Sequence, residues 1–550
     1  FQAEDGIRDS VASRGLGDVY KRQVLNDILY IADDGLFSYD GDKFWPHGVL
    51  DKPSIFISQS NPSGGGMTND ATYSYKSVYE WEDAKGNLHQ GAPSGIAFYT
   101  TPASGSTQTR VDYFATAQVV GYEGVIGQES KRDISLSVYR TSANGSLMTL
   151  NKATPFSGRS FYYNDEKSDA ENAIGRLLYT DTGELENTPP PSPSVYVVAH
   201  KNRLFTIGKD GLIYFSKLSV TGFGLGFHPG FVVKTPDRIS DPPMALGSMD
   251  GLLYIFTKNT IYYLGGEGPD NTGAGAFYEP KRVPSSVGAI ERSPVLSIES
   301  GLLFVSPKGI YLLDREQKIQ YIGAPVEDLI GDSTIKDMII DQEKETVYLQ
   351  TDSSSSQALA YDYRMNQWSS VVLPSNESID TIALWRDKIR FSSGGKLWSE
   401  DPDVSKDGER YIPLKMKTAW IKLPGRTGGA ETSNQGYQRA YNFQVLGTSK
   451  DAHGLKVSVR YDYDNDSAPD VYKFETTDTG EAKLQFKGHL KKQKCQAIQF
   501  ELEDYEISET QTGAGYSITE IALELGYKAD QYKNGVMRIP AHLTSTSTIH

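Results

Sequence analysis

The chain has 550 residues, too many for one core, and two to four domains are expected. Its 53 glycines and 34 tyrosines suit turns and strands and point to an all-β chain. A formal net charge of −15 argues against a surface that wraps nucleic acid by charge, although not against a passage through which DNA slides. The single cysteine, Cys495, excludes an intramolecular disulfide and a thiolate metal cage, and the sequence holds no apolar run long enough for a membrane-spanning helix.

Residues 1–23 are charged, glycine-punctuated and aperiodic, and lack the apolar core of a signal peptide. They resemble translated sequencing-adapter read-through at the end of a reading frame from environmental DNA. They are therefore expected to be an artefact, disordered, with the true N-terminus missing. Residues 24–55 hold Leu29-Tyr-Ile-Ala-Asp-Asp-Gly-Leu-Phe-Ser-Tyr39, in which Asp34-Gly35 between alternating apolar residues marks a hairpin.

Residues 56–195 interrupt that theme. Tyr73-Ser-Tyr-Lys-Ser-Val-Tyr-Glu-Trp81 alternates, Asp83-Ala-Lys-Gly-Asn87 turns, and Ile134-Ser-Leu-Ser-Val-Tyr-Arg140 alternates again before Asn144-Gly145. Short strands and close turns predict an inserted β-sandwich, and the order of phrases resembles a fibronectin III-like module. Thr188-Pro-Pro-Pro-Ser-Pro-Ser194 reads as a stiff extended exit strap.

In 196–405 the hairpin phrase returns as Arg203–Phe215, Leu252–Leu264 and Leu302–Leu313, with turn residues Gly211, Thr260 and Gly309 each 49 positions apart. Val347–Trp368 and Arg386–Trp398 continue the series, and Tyr361-Asp-Tyr-Arg-Met-Asn-Gln-Trp368 echoes Tyr39-Asp-Gly-Asp-Lys-Phe-Trp45. A fixed period built of strands predicts a β-propeller. With 24–55 there are six hairpins, each supplying the inner strands of one blade, so about six blades are expected, the first closing the ring with those that end near residue 400.

Residues 406–530 change composition. Lys415–Lys422, Leu455–Tyr461, Ala497–Leu502 and Ile518–Leu525 alternate with period two, which predicts a C-terminal antiparallel β-domain with one wet sheet face. Residues 531–550 read as a loose tail.

Motifs that carry chemistry are sparse. The eight histidines share no metal-ligand spacing, and no nucleophile elbow or phosphate-binding glycine loop occurs. Asp462-Tyr-Asp-Asn-Asp466 offers carboxylates at alternate positions, but Ser467 and Lys473 stand where a calcium loop needs Gly and Glu, so it reads as an acidic hairpin loop. Ser392-Ser-Gly-Gly-Lys-Leu-Trp398 faintly echoes a sialidase box without its Asp. Lys491-Lys-Gln-Lys494, with Lys487, reads as a guarded strand edge before it reads as a nucleic-acid contact. No catalytic, cofactor-binding or metal residue is assigned, and no cofactor is expected.

Three phrases together resemble the tail nozzle (tail tubular protein B-like) family of short-tailed bacteriophages. They are Val138-Tyr-Arg-Thr141; Gly175-Arg-Leu-Leu-Tyr-Thr-Asp-Thr-Gly-Glu-Leu-Glu-Asn187 with His200-Lys-Asn-Arg-Leu-Phe205; and Pro284–Gly288 running into Gly301–Tyr311 and Tyr321-Ile-Gly323. Trp420–Gly425, Gln438-Arg439, Leu446-Gly447 and Cys495–Phe500 fit the same group. The resemblance implies a non-enzymatic virion subunit assembled in the host cytoplasm. It further implies a homo-oligomeric ring, a hexamer in the family, meeting portal, adaptor and fibre or spike proteins, with DNA only in transit and no membrane insertion by this chain. A propeller-based tail glycan hydrolase and a non-catalytic receptor or glycan binder remain alternatives.

Overall fold

The computed structural model describes residues 22–32, 35–48, 52–58, 64–105, 107–114, 134–155, 160–191, 194–331, 333–351, 357–372, 379–385, 388–393, 396–399, 406–407, 410–411, 413–422, 438–477, 480–507 and 514–527. The chain divides into two compact units, residues 1–400 and 401–550. Both are built from small antiparallel sheets.

Six sheets recur along the first unit. Sheet I is Arg22–Leu25, Ile28–Ala32, Leu36–Tyr39 and Phe44–Pro46; sheet II is Ser194–His200, Arg203–Gly208, Ile213–Ser216 and Phe227–Val233. Sheet III is Pro243–Met249, Leu252–Thr257, Ile261–Leu264 and Lys281–Arg282; sheet IV is Val295–Ile298, Gly301–Ser306, Gly309–Asp314 and Ile319–Tyr321. Sheet V is Ile335–Asp341, Thr346–Thr351, Gln357–Asp362 and Gln367–Val372, and sheet VI is Thr381–Trp385, Lys388–Ser393 and Lys396–Ser399.

Each sheet is a meander, every strand pairing with its sequence neighbour. From I to VI, the first strand of each sheet lies beside the first strand of the next. A series of meanders packed side by side through their leading strands is a propeller-like arrangement.

Burial explains the composition. Arg203–Gly208 and Gly301–Ser306 are buried along their whole length, because sheets stacked on both sides leave neither face to water. Apolar clusters fill the junctions. Ile28, Tyr30 and Leu36 meet Val197, Leu204 and Phe227 between sheets I and II. Phe205, Phe215, Leu253, Phe256 and Phe304 run through sheets II to IV. Val305 and Ile310 meet Met338 and Leu349 between IV and V, and Ile339 and Tyr348 meet Ile382 and Phe391 between V and VI. Each fully buried Leu, Ile or Phe contributes about 1.5–3 kcal/mol.

Two details differ from the sequence reading. The repeated phrases form the second and third strands of their sheets, while the strand that abuts the neighbouring sheet precedes each phrase. Arg22 and Gln23, expected to belong to a disordered artefact, pair with Ile31 and Tyr30, because ladder hydrogen bonds are made by backbone whatever the side chain. Residues 1–21 and the expected tail from 531 lie outside the described residues, as does Asp34 of the first turn.

Between sheets I and II lies a two-sheet sandwich whose first strand, Ser54–Ser58, starts just inside the segment assigned to the first hairpin. Ser54–Ser58, Thr109–Phe114 and Ser160–Asp165 make one sheet. Thr72–Glu82, Leu88–Gln90, Ala97–Thr100, Ser135–Thr141 and Met148–Pro155 make the other. Ile55, Val111 and Tyr113 pack against Tyr73, Tyr75, Leu136 and Val138 between them.

Among the described residues, the second unit holds a two-stranded sheet, Lys406–Asp407 with Arg410–Tyr411, and two four-stranded sheets. Lys415–Lys417, Ile498–Glu506, His453–Tyr461 and Asp470–Thr476 form one; Gln438–Ser449 pairs with Ala482–His489, Lys494–Cys495 and Tyr516–Tyr527 in the other. Phe443, Val457, Phe500 and Leu502 share their core. Asp470–Thr476 alternates between half-buried and exposed, as a strand with one wet face does.

Candidate functional site

The polar chemistry of the first unit concentrates where the inserted sandwich meets sheets I, II and III. Asp40 is buried in the turn after sheet I's third strand and accepts from the backbone N–H of Asp42 at 2.9 Å and Lys43 at 2.8 Å. Its other oxygen accepts from the N–H of Ala84, in the turn predicted at Asp83–Asn87. One carboxylate thus ties a turn of sheet I to a hairpin of the insert.

Asp83 shapes that hairpin. It accepts from the N–H groups of Lys85 and Asn87, each at 2.9 Å, and from the His89 ring at 2.9 Å. Burial pushes the Asp83 carboxyl up, but the bonds from His89 and Asn87 outweigh it and hold the group below the ordinary range. His89 stacks on Trp81 with ring centroids 3.9 Å apart. The imidazole lies directly over Gly224 of sheet II's long loop, where a Cβ would come within 2.2 Å of Nδ1. Leu88 and Gly224 exchange backbone bonds with that loop and hairpin, Leu88 N–H to Gly222 O at 2.9 Å and Gly224 N–H to Leu88 O at 2.8 Å.

Ser38 and His47 are the pair closest to a nucleophile and base, with Oγ 2.8 Å from Nδ1. His47 Nε2 faces the Leu225 carbonyl at 2.9 Å, so it carries the proton and Nδ1 accepts from Ser38. Ser38 is fully buried, and the pair acts as a fastener beneath the insert. The void beside it, lined by Trp81, His89, Asn187 and Gly224, measures about 20 Å³, room for about one water.

The segment 175–188 then straps the insert down. The Arg176 guanidinium pairs with buried Glu80, and its Nε donates to the Tyr139 hydroxyl at 3.1 Å. Tyr139 donates to Glu80 at 2.5 Å, and burial first, then the Glu80 charge, drives its phenol well above the ordinary range. Tyr179 donates to Gly91 O at 3.0 Å and accepts from Asn187 N–H at 2.9 Å. Lys217, just after the third strand of sheet II, donates to the Leu185 carbonyl and lies over the Tyr179 ring. Burial pushes its ammonium down to about 8, against the opposing pull of Glu184.

The turn His200–Phe205 fastens sheet II to sheet III. His200 Nδ1 lies 2.8 Å from Ser248 Oγ, and burial pushes its imidazole down to about 4. Lys201 reaches Gly266 O at 2.9 Å and Glu267 at 2.7 Å. Fully buried Arg203 donates to the carbonyls of Ser216 and Pro269 and sits among the rings of Phe215, Phe231 and Phe277. Asn271, from the same loop as Pro269, bonds Leu218 N–H at 2.8 Å and Leu185 N–H at 3.0 Å, so strap, sheet II and sheet III meet there.

The second unit brings together the two charged motifs of the sequence. Lys492 pairs with Asp462 at 2.6 Å over the Tyr461 ring, and Lys491 pairs with Asp470 at 3.5 Å over the Tyr472 ring. Asp464 turns inward to its own loop, accepting from the N–H groups of Asp466 and Ser467, each at 3.0 Å, and from the Ser467 hydroxyl at 2.5 Å. The Asp462 and Asp464 carboxylates are engaged by Lys492 and by loop backbone. Among the described residues, no group of three or more His, Cys, Asp or Glu is placed to hold a metal.

A wider cleft lies between sheets IV and V, bordered by Lys308, Tyr321 and Glu327. Sequence reasoning singled out none of these as a site, although Lys308 and Tyr321 fall within phrases that carry the family resemblance.

No protein-family model matches the chain, and no curated protein matches it. Among solved structures, BamB from Moraxella catarrhalis is 10% identical, covering 69% of this chain and 94% of its own, with a TM-score of 0.26. A chain of a mitotic checkpoint complex is 11% identical, covering 54% and 85%, also at 0.26. An exo-β-1,3-galactanase from Phanerochaete chrysosporium is 8% identical, covering 84% and 96%, at 0.19. At these TM-scores the likenesses carry no argument about the activity of this chain.

Proposed function

We propose that the chain is a structural subunit of a short-tailed bacteriophage tail, of the nozzle type, in which a six-bladed propeller carries a fibronectin III-like insert and a C-terminal β-domain. One observation carries this reading. Two of the phrases that resemble the nozzle family carry polar side chains that fasten strands and modules together. Arg140 of Val138–Thr141, Arg176 and Tyr179 of Gly175–Asn187, and His200, Lys201 and Arg203 of His200–Phe205 all spend their hydrogen bonds within the chain. Such fastening suits a part that transmits force without deforming.

The described site geometry favours this over the glycan hydrolase. Retaining and inverting glycosidases use two carboxylates across a cleft. Glu327 is the one carboxylate among the described residues that line the cleft between sheets IV and V.

In the proposed assembly, copies form a closed ring, six as in the family, through a heterologous interface. The ring meets portal or adaptor proteins on one side and fibres or spikes on the other, and DNA passes through without specific contact. The acidic balance of the chain suits a weakly adhering conduit.

The test is the mass of the purified particle, by native mass spectrometry and negative-stain imaging. A discrete ring, with six copies expected, supports the reading. A monomer at all accessible concentrations, or saccharide release from host glycans, overturns it.

A further inference from the structure

The cleft between sheets IV and V belongs to none of the fastenings described above. Its volume is about 380 Å³, within the ~300–1,000 Å³ of small-ligand sites. Val305, Ile310 and Ile335 form a buried apolar floor.

Tyr321, Glu327 and Lys308 are among the polar side chains around that floor. Tyr321 is 39% exposed and presents its ring to the cleft. The ring is seated on two glycines: a Cβ at Gly309 would come within 2.7 Å of it and one at Gly323 within 3.2 Å. Its hydroxyl donates to the Glu327 carboxylate at 3.1 Å, which fixes that carboxylate at the rim. Lys308, on the turn between the second and third strands of sheet IV, supplies an ammonium and donates to Ser286 O at 3.3 Å.

We propose that this cleft binds a pyranose ring of a neutral mono- or disaccharide. A pyranose has an apolar C–H face and a rim of hydroxyls. The half-exposed Tyr321 ring is a surface for the first, as aromatic side chains with one apolar and one polar aspect are at interfaces. Glu327 accepts from, and Lys308 donates to, the second, and bonds to charged partners are about twice as strong as neutral ones. A phosphorylated or otherwise anionic ligand fits poorly, because Glu327 opposes the charge of the single lysine. The inference rests on the residues of the cleft and not on the ring proposed above.

The experiment is saturation-transfer NMR with calorimetric titration on the full chain, using glucose, galactose, N-acetylglucosamine, lactose and maltose. At least one is expected to bind with a Kd of about 1 mM, the strength reached by small polar ligands. Tyr321→Ala and Glu327→Gln each weaken it at least tenfold. Lys308→Met, on an exposed turn where folding is not at stake, weakens it severalfold. No transfer to any of the five sugars overturns the inference. So does binding that persists unchanged in Glu327→Gln and Lys308→Met, or displacement of the sugar by the zwitterionic dipeptide glycyl-lysine.

Discussion

Arg140 and Asp165 meet at 2.8 Å with both side chains fully shielded from water, and they join the two sheets of the inserted sandwich. Asp165 also accepts from the Tyr75 hydroxyl at 2.8 Å and from Asn151 at 3.1 Å, while Arg140 donates to the carbonyls of Lys167 and Ser168. Breaking one side of such a pair leaves an uncompensated charge, at a cost of about 3–5 kcal/mol. Asp165→Ala is therefore expected to lower the unfolding free energy of the sandwich by that amount. Denaturant titration followed by hydrogen exchange at residues 135–141 checks it. Arg140→Met combined with Asp165→Leu should recover most of the loss, and failure to recover would show that the hydrogen bonds to Lys167 and Ser168 matter more than the pairing.

Gly224→Ala should unseat the insert without touching either sheet core. The added methyl has no space against the His89 ring, and overpacking of this kind costs about 1–3 kcal/mol. The expected readout is a changed Trp81 near-ultraviolet signal with faster exchange at Leu88 and Gly224. An unaltered signal would mean that the loop yields instead of the ring.

His200 makes the junction of sheets II and III sensitive to acid. Its folded value near 4 lies below the unfolded 6.5, so the unfolded chain binds the extra proton first. The stability it contributes is complete above pH 6.5 and lost as the pH falls towards 4, up to about 3 kcal/mol. A pH series of melting curves should show this slope, and His200→Asn should flatten it between pH 6.5 and 4.

Calcium should be without effect on the second unit. Asp462 is engaged by Lys492 and the Gln496 N–H, and Asp464 by its own loop. Melting of the chain in millimolar calcium and in EDTA is expected to agree within about 1 °C, because a ligand that does not bind the native state does not stabilise it. Asp462→Asn should cost about 0.2–1 kcal/mol, the range of a partly exposed ion pair.

The hairpins were legible in sequence because short polar turns, most of them with Gly, separate alternating apolar residues. The leading strands were not. Pro243–Met249 begins with proline and holds Gly247, where a Cβ would come within 2.8 Å of Val295 on the next sheet. Close packing between sheets demanded the residues that hide a strand. Gln438–Ser449 was missed for another reason: its register shifts at Ala440/Asn442 and Leu446/Gly447 break the period of two. The junction residues were visible as phrases but not as partners. Arg176 and Glu80 lie 96 positions apart, and no spacing rule reaches across a folded insert. The cleft between sheets IV and V had no signal beyond Tyr321 and Gly323 sitting two residues apart.

Sheets II to VI follow one another directly, so during synthesis each finds the preceding sheet already present. Sheet I does not. Its apolar face, with Ile28, Tyr30 and Leu36, waits for Val197 and Leu204 while the whole insert is translated. At about 5–20 residues per second that delay is on the order of ten seconds. The nascent chain therefore carries the apolar face of sheet I uncovered through that interval. Mutations that slow folding of the insert should therefore lower soluble yield even where the finished subunit is fully stable.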